Sequence, residues 1–149
     1  MIGPRIENPG IQTTLQEVLD TPSALFYLAG PVRLERAGMA HLWRDVIKVL
    51  LHGKGFSSFD PAAAWFAGDE GVEQKIEHAN DAVIALCSGV IVGWTGLESI
   101  GTRHDVAEAI WQRKPVFVIR IVGGLELPGW LQGFTCYTLL EAIAEIGCV

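Results

Sequence analysis

Residues 115–122 read Pro-Val-Phe-Val-Ile-Arg-Ile-Val, and the fold can be read outward from them. Seven residues rich in β-branched side chains, entered through Lys114-Pro115, are too short for a buried helix and suit a strand covered on both faces. The segment before it, Thr102–Gln112, predicts a helix, and Val90–Val92 before that a third strand. Further back, Val72, Ile76, Ala79, Val83 and Leu86 recur at helical spacing, and Phe56–Phe59 is a short strand closed by Asp60-Pro61. Met39, Leu42, Trp43, Val46, Val49 and Leu50 form another helical stripe, preceded by the apolar run Ala24–Ala29 and its stop at Gly30-Pro31. Toward the other end, Phe134–Tyr137 suits a fifth strand and Leu139–Ile146 a last helix.

Apolar strands alternating with helices predict an α/β, Rossmann-like (flavodoxin-like) parallel sheet of about five strands with helices on both faces. Residues 1–22, punctuated by Pro and Gly and holding one short helix near Thr13–Leu19, read as an N-terminal arm; 23–149 reads as the domain. At 149 residues the chain is long enough for one real core. Half the residues are hydrophobic and 19% are charged, which argues against disorder. A net charge of −6 opposes a nucleic-acid groove or an anionic membrane surface, while leaving room for a small ligand. Cys87, Cys136 and Cys148 have no metal-like spacing and suit a reducing, cytoplasmic setting. The beginning of the sequence lacks a basic-then-apolar leader, and no apolar run approaches the ~20 residues that span a bilayer.

In such sheets a ligand sits beyond the carboxyl ends of the strands. Three segments follow those ends. Gly30-Pro31 opens a turn whose backbone N–H groups, with Arg33 and Arg36, suit a phosphate, although solvated arginines on a polar loop are the plainer reading of this segment alone. Gly93 to Asp105 leaves a strand and opens a helix, so Ser99, Gly101 and Thr102 offer a hydroxyl, a permissive backbone and a cap at a positive dipole end. Here Thr102-x-x-Asp105 also fits a capping box, which would make Asp105 a stabilising acid and nothing more. Asn80-Asp81 falls off the helical stripe, where a solvated acid is the plain reading. Trp65 and Trp94 follow strands and could stack on a base. His41, His52, His78 and His104 form no helical metal motif, so neither a metal nor a cofactor is expected.

Taken together, these segments resemble the nucleoside 2-deoxyribosyltransferase-like superfamily, which also contains nucleotide N-glycoside hydrolases. The resemblance spans about Phe26 to Val118. It rests on Tyr27-Leu28-Ala29-Gly30-Pro31, Phe59-Asp60-Pro61-Ala62, Asn80-Asp81, Ser88-Gly89-Val90, Gly93-Trp94, Ser99-x-Gly101-Thr102-x-x-Asp105 and Lys114-Pro115-Val116, in that order. It implies that Asp105 attacks or stabilises the anomeric carbon and that Asp81 serves the base. It further implies that Ser99, Arg33 and the Gly30 turn, with Pro31, Asp60, Trp94, Gly101 and Thr102, bind the rest of a nucleoside or nucleotide. A homodimer or larger assembly is also implied. One position departs from the pattern: the family carries glutamate where this chain has Asp105, withdrawing the carboxylate by one C–C bond, about 1.5 Å. Glu98 and Glu108 are the alternative acids. The expected activity is cleavage or base exchange at an N-glycosidic bond; a nucleotide-binding domain without catalysis is the alternative.

Overall fold

The computed structural model describes residues 14–20, 24–30, 37–61, 73–96 and 99–147, the side chains of 37–41 and 73–77 excepted. Its elements are α1 (Leu15–Leu19), β1 (Leu25–Ala29), α2 (Ala37–Gly53), β2 (Ser57–Phe59), α3 (Glu73–Leu86) and β3 (Gly89–Trp94). There follow α4 (Ile100–Trp111), β4 (Val116–Arg120), a 3-10 turn at Gly129–Leu131, β5 (Thr135–Thr138) and α5 (Leu139–Gly147). All strand pairs are parallel and the order is β2-β1-β3-β4-β5, the flavodoxin-like arrangement. The order reverses between β1 and β3, and their connections leave on opposite sides of the sheet, opening a crevice at the carboxyl edge.

Alternation along the strands sorts the core into two layers. Phe26, Leu28, Ile91, Phe117 and Ile119 face α1, α2 and α5, where Trp43, Ile47 and Leu51 meet them. Tyr27, Ala29, Val90, Val92, Trp94 and Val118 face α3 and α4, where Ile84, Val106 and Ala109 meet them. Part of the segment read as an arm lies in the first layer: Leu15, Val18 and Leu19 are buried, and the Leu15 N–H donates to the Tyr137 hydroxyl at 3.0 Å. Thr14 and Glu17 close a capping box on this helix.

Two expectations are corrected. Gly93 and Trp94 do not open the loop after the third strand; they are its last two residues, paired with Ile119 and Arg120. A glycine inside a strand marks a close approach, and a methyl group at Gly93 would run into the Trp43 indole. The helical stripes are also turned from their expected faces. Leu42, Val49 and Leu86 are exposed, whereas Arg44, Asn80, Ile84 and Cys87 are buried. Among the described residues, no helix is long and apolar enough to cross a membrane.

Candidate active site

At the carboxyl edge, β1 contributes the first functional side chain. Tyr27 is the one residue of the Leu25–Ala29 strand with a polar side-chain atom, and a buried hydroxyl needs a partner. It donates to Asp105 Oδ2 at 3.0 Å, across from α4, and both residues are buried. Burial first, then the Asp105 charge and this hydrogen bond, push the Tyr27 hydroxyl well above the usual tyrosine range. It therefore stays protonated and remains a donor.

The start of α4 explains how Asp105 comes to face the sheet. Ser99, in extended backbone, is the N-cap, and its Oγ accepts the Thr102 N–H at 3.2 Å. The helix thus begins before Thr102, Asp105 lies in its second turn, and the Thr102-x-x-Asp105 capping box is not formed. Thr102 is an interior helical residue, 4% exposed, with a hydroxyl that has no hydrogen-bond partner among the described residues. Gly101 is exposed beside Ser99 Oγ. Ser99, Gly101, Thr102 and Asp105 are accordingly brought together on the first two turns of one helix.

The next row on α4 meets α3. His104 Nε2 lies 3.0 and 3.3 Å from the two carboxylate oxygens of Asp81. The Gln112 amide donates to Glu108 Oε2 at 2.6 Å and to the Asp81 main-chain oxygen at 3.2 Å. Asp81 is therefore not a solvated acid on an outer face; it is half-buried between two helices, against His104, the chain neighbour of Asp105.

On the other face of the sheet, Arg44 from α2 is fully buried. Its guanidinium donates to the Gly30 carbonyl at 2.7 Å, and Nε lies 3.2 Å from Asp60 Oδ1. Lys48 Nζ lies 3.0 Å from Asp60 Oδ2. Burial lowers the Arg44 pKa from its usual value, while the neighbouring Asp60, the largest opposing influence, acts to raise it. Gly30 is closely packed, since a methyl there would sit 3.1 Å from both the guanidinium and Trp43, which would have to give by a few tenths of an ångström. Asp60 is thus engaged by two cations, and its link to the edge runs through Arg44.

Trp94 is corrected. It is 6% exposed, its indole N–H donates to the Glu126 carbonyl at 3.1 Å, and it packs edge-on against Trp130. Its ring fills the core and is not a platform for a base. Pro31 and Arg33, with Arg36, Trp65 and Glu98, lie outside the described residues. Sequence reasoning missed the roles of Tyr27, Arg44 and His104. For Tyr27 the available signal was a polar atom inside an otherwise apolar strand. For Arg44 it was a guanidinium flanking the Trp43–Ile47–Leu51 stripe.

No protein-family model matches the sequence, and no curated protein matches it. Solved structures do. The 2-deoxyribosyltransferase of Bacillus psychrosaccharolyticus superposes with a TM-score of 0.59 at 17% identity, covering 76% of this chain and 85% of that one. The CMP N-glycosidase of Clostridium botulinum gives a TM-score of 0.56 at 12% identity, covering 83% and 98% respectively. What these proteins share with the chain is the parallel sheet and its flanking helices, so the chain has the fold of nucleoside 2-deoxyribosyltransferase-like proteins.

Proposed function

We propose that the chain cleaves, or exchanges the base of, the N-glycosidic bond of a (deoxy)ribonucleoside 5′-monophosphate or nucleoside. The observation that carries this reading is the buried Asp105 carboxylate, held by a protonated Tyr27 hydroxyl at the edge where the strand order reverses. Breaking the bond builds positive charge on C1′ and negative charge on the departing base. An ionised Asp105 beneath the sugar answers the first need, by attack or by electrostatic stabilisation. Asp81, next to His104, answers the second from the base side. The Ser99 hydroxyl, together with Gly101 and Thr102 at the start of α4, suits a 5′-phosphate, which supplies binding energy remote from the reacting bond. Gly30, Pro31 and Arg33 complete that phosphate side in the same reading, and Arg44 with Asp60 fixes the Gly30 carbonyl behind it. The two similar structures are of proteins named for this chemistry, which supports the reading. A small-molecule ligand, a homo-oligomer and a cytoplasmic setting belong to it.

The test is chromatography of a nucleoside and monophosphate panel incubated with the protein, scored for free base. Asp105→Asn keeps an oxygen for the Tyr27 hydroxyl, so stability should change by under ~1 kcal/mol, while base release is abolished. Equal release by wild type and variant would defeat the assignment. The short side chain of Asp105 favours one second reading, a domain that binds the nucleotide intact. Calorimetric binding with unchanged ligand recovered afterwards would select it.

A further inference from the structure

We propose that Asp81, His104 and Glu108 form a binding site for a divalent transition-metal cation, Zn²⁺ or Mn²⁺. The site goes beyond the glycosidic reading and does not depend on it. His104 and Glu108 stand four residues apart on α4, a spacing that puts both side chains on one face. Asp81 reaches the same point from α3. One ring nitrogen and one oxygen from each carboxylate lie within 4.8 Å of one another. The closest of these separations, His104 Nε2 to the Asp81 oxygens, are 3.0 and 3.3 Å. Ligands of a tetrahedral zinc with bonds near 2.0–2.1 Å stand about 3.3 Å apart. The site therefore asks for an inward turn of the Glu108 carboxylate and no movement of either helix.

Three features distinguish this group from acids that happen to be neighbours. The donor set is mixed: an imidazole is a poor ligand for Mg²⁺ or Ca²⁺ but suits the borderline ions, and carboxylates extend the choice to Mn²⁺. Gln112 holds the group from outside, giving its amide to Glu108 Oε2 and to the Asp81 main-chain oxygen. The first of these orients the Glu108 carboxylate from outside, and the second ties Gln112 to the α3 backbone that carries Asp81. Charge is the third. Two half-buried carboxylates are drawn together, and among the described residues neither has a lysine or arginine partner. A dication removes their repulsion directly. All three side chains are partly exposed, so an ion can enter and keep water in its open positions. Because Asp81 is also the acid assigned to the base side, the two roles exclude one another at any one moment.

The experiment is calorimetric titration of metal-stripped protein with ZnCl₂, MnCl₂ and, as control, MgCl₂, with no nucleotide present. The expected result is one equivalent of Zn²⁺ or Mn²⁺ bound more tightly than Mg²⁺. Glu108→Gln and His104→Ala should each weaken binding at least 10-fold, and Gln112→Ala should weaken it ~10-fold through the outer hydrogen bonds. His52→Ala, at an exposed histidine elsewhere, should leave it unchanged. Absence of Zn²⁺ and Mn²⁺ binding, or binding that survives both Glu108→Gln and Gln112→Ala, would overturn the site. So would loss of binding in His52→Ala. If Glu108→Gln fails to fold, Gln112→Ala and the Co²⁺ absorption spectrum of the wild type carry the same comparison. A tetrahedral spectrum supports the site, and a spectrum of the hexa-aqua ion refutes it. A failed glycosidic reading would leave all of these outcomes as they stand.

Discussion

Two aspartates sit at the carboxyl edge of this sheet, one on each face, and they are held in opposite ways. Asp60, on the α2 side, lies within 3.2 Å of a guanidinium and 3.0 Å of an ammonium. Asp105, on the α4 side, accepts a hydrogen bond from a neutral hydroxyl. The first carboxylate has its charge cancelled locally, and its work is to fix Arg44, which in turn fixes the Gly30 carbonyl. The second is buried against the Tyr27 hydroxyl, and in the proposed reaction it is the carboxylate that answers the developing cation. Arg44 feels both, but feels Asp60 more strongly than Asp105. A buried charge is therefore a functional candidate according to how it is compensated and not merely because it is buried.

The largest effect should come from breaking the compensated cluster. Arg44→Met removes the partner of a buried aspartate and the donor to Gly30. Breaking a buried pair costs up to about 3–5 kcal/mol, here reduced because Lys48 stays 3.0 Å from Asp60; urea denaturation would read the loss as a lower midpoint with an unchanged slope. Adding Asp60→Asn to that variant should recover part of the loss, because the carboxylate that has lost its guanidinium is gone. Strict additivity of the two changes would mean that Arg44 and Asp60 are not coupled, and the contrast with Asp105 would lose one of its terms.

The hydroxyl-held aspartate gives a smaller effect with a distinct pH signature. Tyr27→Phe removes one hydrogen bond to a carboxylate, expected to cost about 1.5–3 kcal/mol near neutral pH. Tyr27 has its folded pKa raised above the ordinary 10.0 by burial and by Asp105. Burial likewise pushes the Cys87 thiol from 9.0 up to about 12. For a raised pKa the stabilisation is whole below the unfolded value and is lost as pH rises beyond it, because the unfolded chain releases protons that the folded chain keeps. Wild-type stability should therefore fall from about pH 9 upward. In Tyr27→Phe the loss beyond pH 10 should be shallower, with the Cys87 share remaining. Parallel curves for the two proteins would mean that the Tyr27 hydroxyl is not buried against Asp105.

Much of this architecture was legible in the sequence, because apolar runs bounded by Gly and Pro identify buried strands whatever surrounds them. The five strands and the helices between them follow from that pattern. Side-chain placement was less legible, for a consistent reason. Periodicity assigns faces by polarity, so it cannot anticipate a buried Arg44 or Asn80 beside exposed Leu42 or Leu86. Gly93 looked like the end of a strand because glycine is rare within one; the Trp43 ring that requires it comes from 50 residues earlier in the chain. The alternative reading of Asp105 as part of a capping box rested on its spacing from Thr102, whereas Ser99 stands three residues before Thr102 and is the cap. The place of Gly93 is set by a residue distant in sequence, whereas the Ser99 cap is a local contact for which two spacings compete.

The smallest expected effect bears on the helix that delivers Asp81. The apolar stripe through Val72, Ile76, Ala79, Val83 and Leu86 would turn Leu86 toward the core, whereas the structure buries Asn80, Ile84 and Cys87 and leaves Leu86 76% exposed. The two settings of α3 differ by one residue, about 100° of rotation, and only the observed one turns Asp81 toward His104. Leu86→Gln should therefore change stability by less than ~0.5 kcal/mol, as surface substitutions do, while Ile84→Ala costs about 2–5 kcal/mol as a buried truncation. If the two losses were reversed in size, α3 would be rotated. Asp81 would then face solvent, and Asp105 would stand without a second acid on its side of the sheet.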